Sequence, residues 1–236
     1  MSTQLEDHRE LKSPKQQSRQ LWSEFQKHFK DVLRATPPCE VAWAWESAAN
    51  RTSFYRNRVL PKVARNLGFI DAYELFRVDS TFCLGENRDK KETLVPIVHV
   101  ESENQANSAG HEVRKLCALT SRLKVLITCD IWSKKWARGG HASEYQESWR
   151  ALIENHLRHY PDDCEYGLIV AERHGTGPAD RVYFYSMALT GPRPVTPNEH
   201  GEEMLSVALH GHAPCAPNDP IAPKPQTLFS PPKRER

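Results

Sequence analysis

Between Leu21 and Leu33 the residues Leu21, Phe25, His28, Phe29, Val32 and Leu33 recur at three- and four-residue steps, and Pro37-Pro38 closes the run. That period predicts an amphipathic helix with one face on a core. An Ala- and Trp-rich stretch, 40–50, predicts further helix. Another follows from Ser53 to a stop at Gly68, with Tyr55, Val59, Val63 and Leu67 on one face. Pro61 falls inside it, where the missing N–H and the ring predict a kink or a split. The pattern then becomes β: Tyr73 to Leu84 and Leu94 to Glu103 are rich in β-branched and aromatic residues and flank a charged turn, 85–92, so they read as paired strands. Helical spacing returns at 108–121, with Ala109, Val113, Leu116, Cys117 and Thr120 on one face. Leu123 to Cys129 is a short apolar strand buried on both faces. A helix at 144–159 and strands at 165–172 and 181–189 complete the series. The order predicts an α/β fold, a mixed central β-sheet flanked by helices.

Residues 1–18 lack periodicity, and 191–236 hold most of the prolines, which cannot supply ladder donors. The expected organisation is therefore a disordered segment 1–18, one α/β domain over 19–190, and a Pro-rich, largely disordered tail over 191–236. At 236 residues, 39% hydrophobic and 26% charged, the chain has the composition of one globular domain with a polar surface. No apolar run approaches the roughly 20 residues that a bilayer requires, which argues against a membrane partner. The polar start lacks the apolar region of a secretory signal, so a cytoplasmic location is expected. Six scattered cysteines without a Cys-x-x-Cys pair read as reduced and structural. A formal net charge of +2 leaves the question of nucleic-acid binding to where the charges lie.

The residues richest in chemistry lie in Val95-Pro96-Ile97-Val98-His99-Val100-Glu101-Ser102-Glu103. Strand alternation brings Glu101 and Glu103 out on one face, about 7 Å apart, where they repel unless water or a cation intervenes. Asp79, in the preceding β segment, can supply a third carboxylate across the sheet. A hard divalent ion takes oxygen ligands of this kind. The same three acids also suit a plain set of solvated strand-end charges, and both readings stand at this point. His99 shares the face of Glu101, where a hydrogen-bonded core histidine is the commoner outcome.

An acid in one strand, an acid-x-acid pair at the end of the next, then a helix and a buried strand, resembles the PD-(D/E)XK (restriction endonuclease-like) nuclease superfamily in its Glu-x-Glu form. The resemblance covers roughly 43–130. It implies a restriction endonuclease-like core in which Asp79 and Glu101 bind magnesium (or manganese), with DNA as the partner. The third motif position, usually lysine, is Glu103 here. Some relatives carry the lysine on the following helix, where Lys115 is the match, with Glu112 one turn before it. Others use a glutamate on an early helix, matched by Glu46. Val78, rather than proline, precedes Asp79. Many relatives act as homodimers. The resemblance thus implies hydrolysis of DNA phosphodiesters by Asp79, Glu101, Glu103 and Lys115; the alternative is a catalytically inactive module of the same fold that binds nucleic acid or a protein.

Two basic sets fit a nucleic-acid partner. Arg51, Arg58, Lys62 and Arg65 fall at i, i+7, i+11 and i+14, one helical stripe opposite the apolar face. Lys134, Lys135 and Arg138 are interleaved with Trp132 and Trp136 before Gly139-Gly140, a composition that suits phosphates and stacked bases. Each set also suits an ordinary solvated surface, with the tryptophans capping the core. His210, His212 and Cys215 have metal-like spacing but no fourth ligand nearby.

Overall fold

The computed structural model describes residues 12–85, 90–133, 140–191, 201–211 and 215. Four helical elements come first: α1 (Pro14–Ala35), α2 (Pro38–Ala44), α3 (Ala48–Phe54) and α4 (Leu60–Asn66). They are followed by β1 (Ile70–Tyr73), β2 (Ser80–Leu84), β3 (Val95–Glu103), α5 (Gly110–Cys117), β4 (Leu123–Cys129), α6 (Ala142–His159), β5 (Glu165–His174), β6 (Arg181–Ala188) and β7 (Glu202–Ala208). The seven strands form one sheet in chain order. Strands β3, β4 and β5 are parallel and all other neighbours are antiparallel. The predicted α/β class with a mixed, helix-flanked sheet is therefore observed.

Alternation along the parallel strands divides the core. Val98, Val100, Val125, Ile127, Ile169 and Ala171 pack on α1–α4, whereas Leu126, Leu168 and Val170 pack on α5 and α6. The stripe read in α1 is the one it buries: Leu21, Phe25, Phe29, Val32 and Leu33, joined by Trp22. Gly167 in β5 lets Trp22 seat against the sheet, since a Cβ there would lie 2.3 Å from the indole ring.

Several boundaries differ from expectation. Helix α1 starts at Pro14, inside the segment expected to be disordered, because Ser13 and Gln16 form a capping box and Pro14 stands at the first helical position. The stretch 40–50 is two helices, broken where Ser47 caps α3 through the Asn50 N–H. The disruption at Pro61 takes the form of a π turn over Tyr55–Val59, in which the Leu60 N–H reaches back to the Tyr55 carbonyl. This wider turn accommodates a proline ring that would crowd the carbonyl four residues back. Residues 73–84 are not one strand: β1 ends at Tyr73, and a tight connection leads to β2. Strand β7 lies inside the tail expected to be disordered. Its stretch has no proline between Pro197 and Pro214, and Met204 and Leu209 join the core.

The six cysteines are not all reduced. Cys39, in α2, and Cys215, beyond β7, form a disulfide across 176 residues, a pairing that spacing alone cannot reveal. Cys83, Cys117, Cys129 and Cys164 carry free thiols. Disulfides persist mainly in oxidising compartments, so the cysteine pattern lends no support to a cytoplasmic location. No described helix is long and apolar enough to cross a membrane.

Candidate functional site

Ser80 pairs with Val100 in the antiparallel β2–β3 ladder, so Asp79, one residue earlier, falls in line with Glu101. Side chains opposite one another in such a ladder share a face. Asp79 Oδ2 accepts the Ser102 backbone N–H at 2.8 Å, which ties the carboxylate to β3. Above this face lies α5, held down by Val113, Leu116 and Cys117. Glu112 and Lys115, three residues apart on that helix, fall on adjacent turns and reach the same point. Lys115 Nζ lies 2.7 Å from Glu101 Oε1 and 2.6 Å from Glu112 Oε2, and it donates to the Arg77 carbonyl at 3.2 Å. Asp79, Glu101 and Lys115, predicted from two strands and a helix, are thus brought together.

Electrostatics at this point favour a positive guest. Glu101 is 1% exposed. Burial, with Asp79 and Glu112 adding repulsion, outweighs the Lys115 ammonium and pushes its carboxyl up to about 8. Asp79 is also raised, first by burial and then by Glu112 and Glu103, against the Ser102 N–H and Lys115. Lys115 is raised by its two carboxylate partners, which outweigh burial. Two carboxylates, Glu101 and Glu112, therefore contact one ammonium, with Asp79 close enough to add its charge to both.

Glu103 stands on the same face as Glu101, farther toward the strand end, and accepts the Gln105 N–H at 3.2 Å. Together with His111 and Glu112 it forms a group whose ligand atoms all lie within 4.8 Å of one another, close enough to hold a metal ion. His111 Nε2 is 2.7 Å from Glu112 Oε1. Sequence reasoning missed His111: strand parity cannot reach across a loop onto the next helix, and the only signal was its adjacency to Glu112. Glu46 lies exposed in the turn after α2, and no contact joins it to this cluster among the described residues.

His99 is the core histidine expected on parity. It is buried, its Nδ1 lies 3.2 Å from Thr81 Oγ1, and burial lowers it to about 4, so it is neutral. Lys124 is an unforeseen buried cation, satisfied by Asp162 at 3.3 Å and the Tyr166 hydroxyl at 3.1 Å. Cys215 is consumed by its disulfide and cannot serve the tail metal pattern; His212 lies outside the described residues.

The basic stripe is only partly realised. Lys62 and Arg65 are exposed and Arg58 is half-buried, but the π turn, which contains Arg58, breaks the helical phase between Arg51 and Lys62. Arg51 instead turns to the end of β3, where its Nε donates to Asn104 Oδ1 at 3.0 Å, while Asn104 donates to Thr52 Oγ1 at 3.0 Å. Arg51, Asn104, Asp130 and Arg173 line a cleft of about 370 Å³ at the carboxyl ends of β3, β4 and β5. Trp132 caps the second core, stacked on Trp149 with ring centroids 6.1 Å apart. Lys134, Lys135 and Arg138 lie outside the described residues.

No protein-family model matches this chain, and no curated protein and no solved structure does so either.

Proposed function

We propose that this chain is a metal-dependent nuclease that hydrolyses phosphodiester bonds of DNA, with a restriction endonuclease-like arrangement of β1–β2–β3–α5–β4. The observation that carries the reading is the meeting of Asp79, Glu101 and Lys115 from three separate elements, with Lys115 Nζ 2.7 Å from Glu101 Oε1. A purely structural cluster would be expected to balance its charges, whereas this one keeps an excess of carboxylate in a buried setting.

The residues fit a hard dication such as magnesium or manganese. The donors are carboxylate oxygens, and repulsion among them is the kind that a dication offsets. Asp79 and Glu101 are the residues that would hold it, with Glu103, His111 and Glu112 as neighbouring donors. When bound, such an ion polarises a phosphoryl oxygen and makes water a better nucleophile at neutral pH. Lys115 supplies the positive charge that carboxylates alone deny a phosphate, and it sits where it can orient an attacking water beside Glu101. Glu103, partly exposed next to Glu101, is the carboxylate that can accept the water's proton. Arg51, at the end of β3, offers a cation for the phosphate backbone of the bound strand.

A non-catalytic module gained its appeal from the missing motif lysine. The Lys115–Glu101 contact supplies that charge from the helix and favours the active reading. The test is incubation of the full chain with plasmid, single-stranded DNA and RNA in magnesium or manganese. Cleavage that depends on metal and is lost in Glu101→Gln supports the proposal; metal-independent retention of DNA with no cleavage supports the binding module.

A further inference from the structure

The connection between β1 and β2 holds three non-glycine residues at positive φ: Glu74 (52°), Phe76 (58°) and Arg77 (62°). Left-handed backbone is unfavourable for residues with a Cβ, and a bulky aromatic there is an outlier. The same Phe76 is 55% exposed. The ring stands nearly perpendicular to that of His99, with centroids 6.2 Å apart. Solvent exposure of a large apolar ring and a left-handed backbone are two separate costs at one residue, and neither serves the core. Strain of this kind persists where surrounding structure enforces it, and it clusters at ligand-binding sites.

The surroundings that enforce it belong to the candidate site. The carbonyl of Arg77, the next residue, receives Lys115 Nζ at 3.2 Å, and Asp79 follows two residues later. On the other side, Tyr73 is gripped by Arg56, whose guanidinium carbon stands 3.3 Å from the ring centroid. Phe76 is thus presented to solvent by a connection whose following residues bind the lysine and carry the first carboxylate.

We infer that Phe76 is a substrate-contacting residue that stacks on an unpaired or unstacked nucleobase next to the bond held at Asp79 and Glu101. This inference rests on the nuclease reading and adds to it how the strand is gripped. An aromatic ring offers sequence-tolerant stacking, because every base has a π-face. Apolar side chains next to a bent backbone also serve as wedges between base steps. The T-shaped contact with His99 leaves more than half of Phe76 open to solvent, where such a partner can reach it.

The test uses the full chain and fluorescein-labelled oligothymidylates in calcium, with a single abasic site stepped along the strand, and reads affinity by anisotropy. At one position the abasic site weakens wild-type binding about tenfold, within the range for loss of one stacked base. Phe76→Gly weakens binding of the intact strand by the same factor and becomes indifferent to the abasic site, while Phe76→Trp retains both properties. Thermal melting supplies a readout that a structural role would move the other way: Phe76→Gly relieves the left-handed strain and raises Tm by about 2–4 °C. Weaker binding with a higher Tm supports the inference. If wild-type protein cleaves and binds DNA but Phe76→Gly binds intact strands equally well, or if binding and Tm fall together, Phe76 is not a stacking residue and the nuclease reading stands. If wild-type protein neither binds nor cleaves, both fall.

Discussion

Replacing Glu101 by glutamine should abolish cleavage yet make the metal-free protein more stable in alkaline buffer. In the fold, burial and the neighbouring acids raise this carboxyl from an ordinary 4.5 to about 8. Between those values the folded chain binds a proton that the unfolded chain has released, so stability is fully present below about 4.5 and declines as pH rises toward 8. A displacement of that size corresponds to on the order of 4–5 kcal/mol. Glutamine keeps the shape and cannot ionise; it also loses the attraction to Lys115, which reduces the gain to about 3 kcal/mol at pH 9. For a chain of this size that is a Tm increase of about 6–12 °C, against almost none at pH 5, where the native carboxyl is already neutral. Differential scanning calorimetry of both proteins in chelator, at pH 5 and pH 9, measures the difference directly. A Tm gap that does not change with pH, or a glutamine variant less stable at pH 9, would refute the assignment of a buried, proton-holding Glu101.

Three further outcomes follow from the same geometry. Manganese must displace the proton on Glu101, so its affinity, read by calorimetric titration, should strengthen by up to about tenfold per pH unit from 6 to 8 and level off above; a flat profile would place the ion elsewhere. Lys115→Met should reduce cleavage by at least about a hundredfold while leaving DNA retention within a few fold, because the ammonium faces Glu101 and Glu112; equal cleavage would remove Lys115 from the chemistry. Gly167→Ala should lower Tm by about 4–10 °C through overpacking against Trp22, whereas an unchanged Tm would show that α1 sits elsewhere.

Periodicity made the long elements legible. Alternation along β3 put Glu101 and Glu103 on one face, and the stripe of α1 named its buried residues, because each signal is local and repeats over several turns or pleats. What stayed hidden depended on contacts distant in the chain or on exceptions to local rules. The Cys39–Cys215 bond joins residues with no shared local pattern. The Tyr73–Ser80 connection looked like continuous strand because Tyr, Leu, Phe and Val all favour β structure, and nothing in those letters announces three left-handed residues. Strand β7 was masked by the prolines flanking it. The stripe of Arg51, Arg58, Lys62 and Arg65 assumed one uninterrupted helical period, which the π turn cancels.

Two of these departures, the left-handed connection and the π turn, lead to the candidate site or the adjoining end of β3. The left-handed connection carries Arg77 and leads into Asp79. The π turn separates Arg51, which reaches the end of β3, from the rest of its helical stripe. The most strongly shifted carboxyl, Glu101, stands opposite Asp79 in the ladder. At other points local propensity and global packing agree: Ser13 caps α1, β4 is buried on both faces, and Gly167 yields to Trp22. Natural sequences break local rules chiefly where function demands it. A fold stabilised for its own sake would have asparagine or glycine at 76 and a neutral side chain at 101. That both positions instead hold destabilising residues, joined through Lys115 by its contacts to Glu101 and the Arg77 carbonyl, is the strongest physical argument that this end of the β2–β3 ladder is a site.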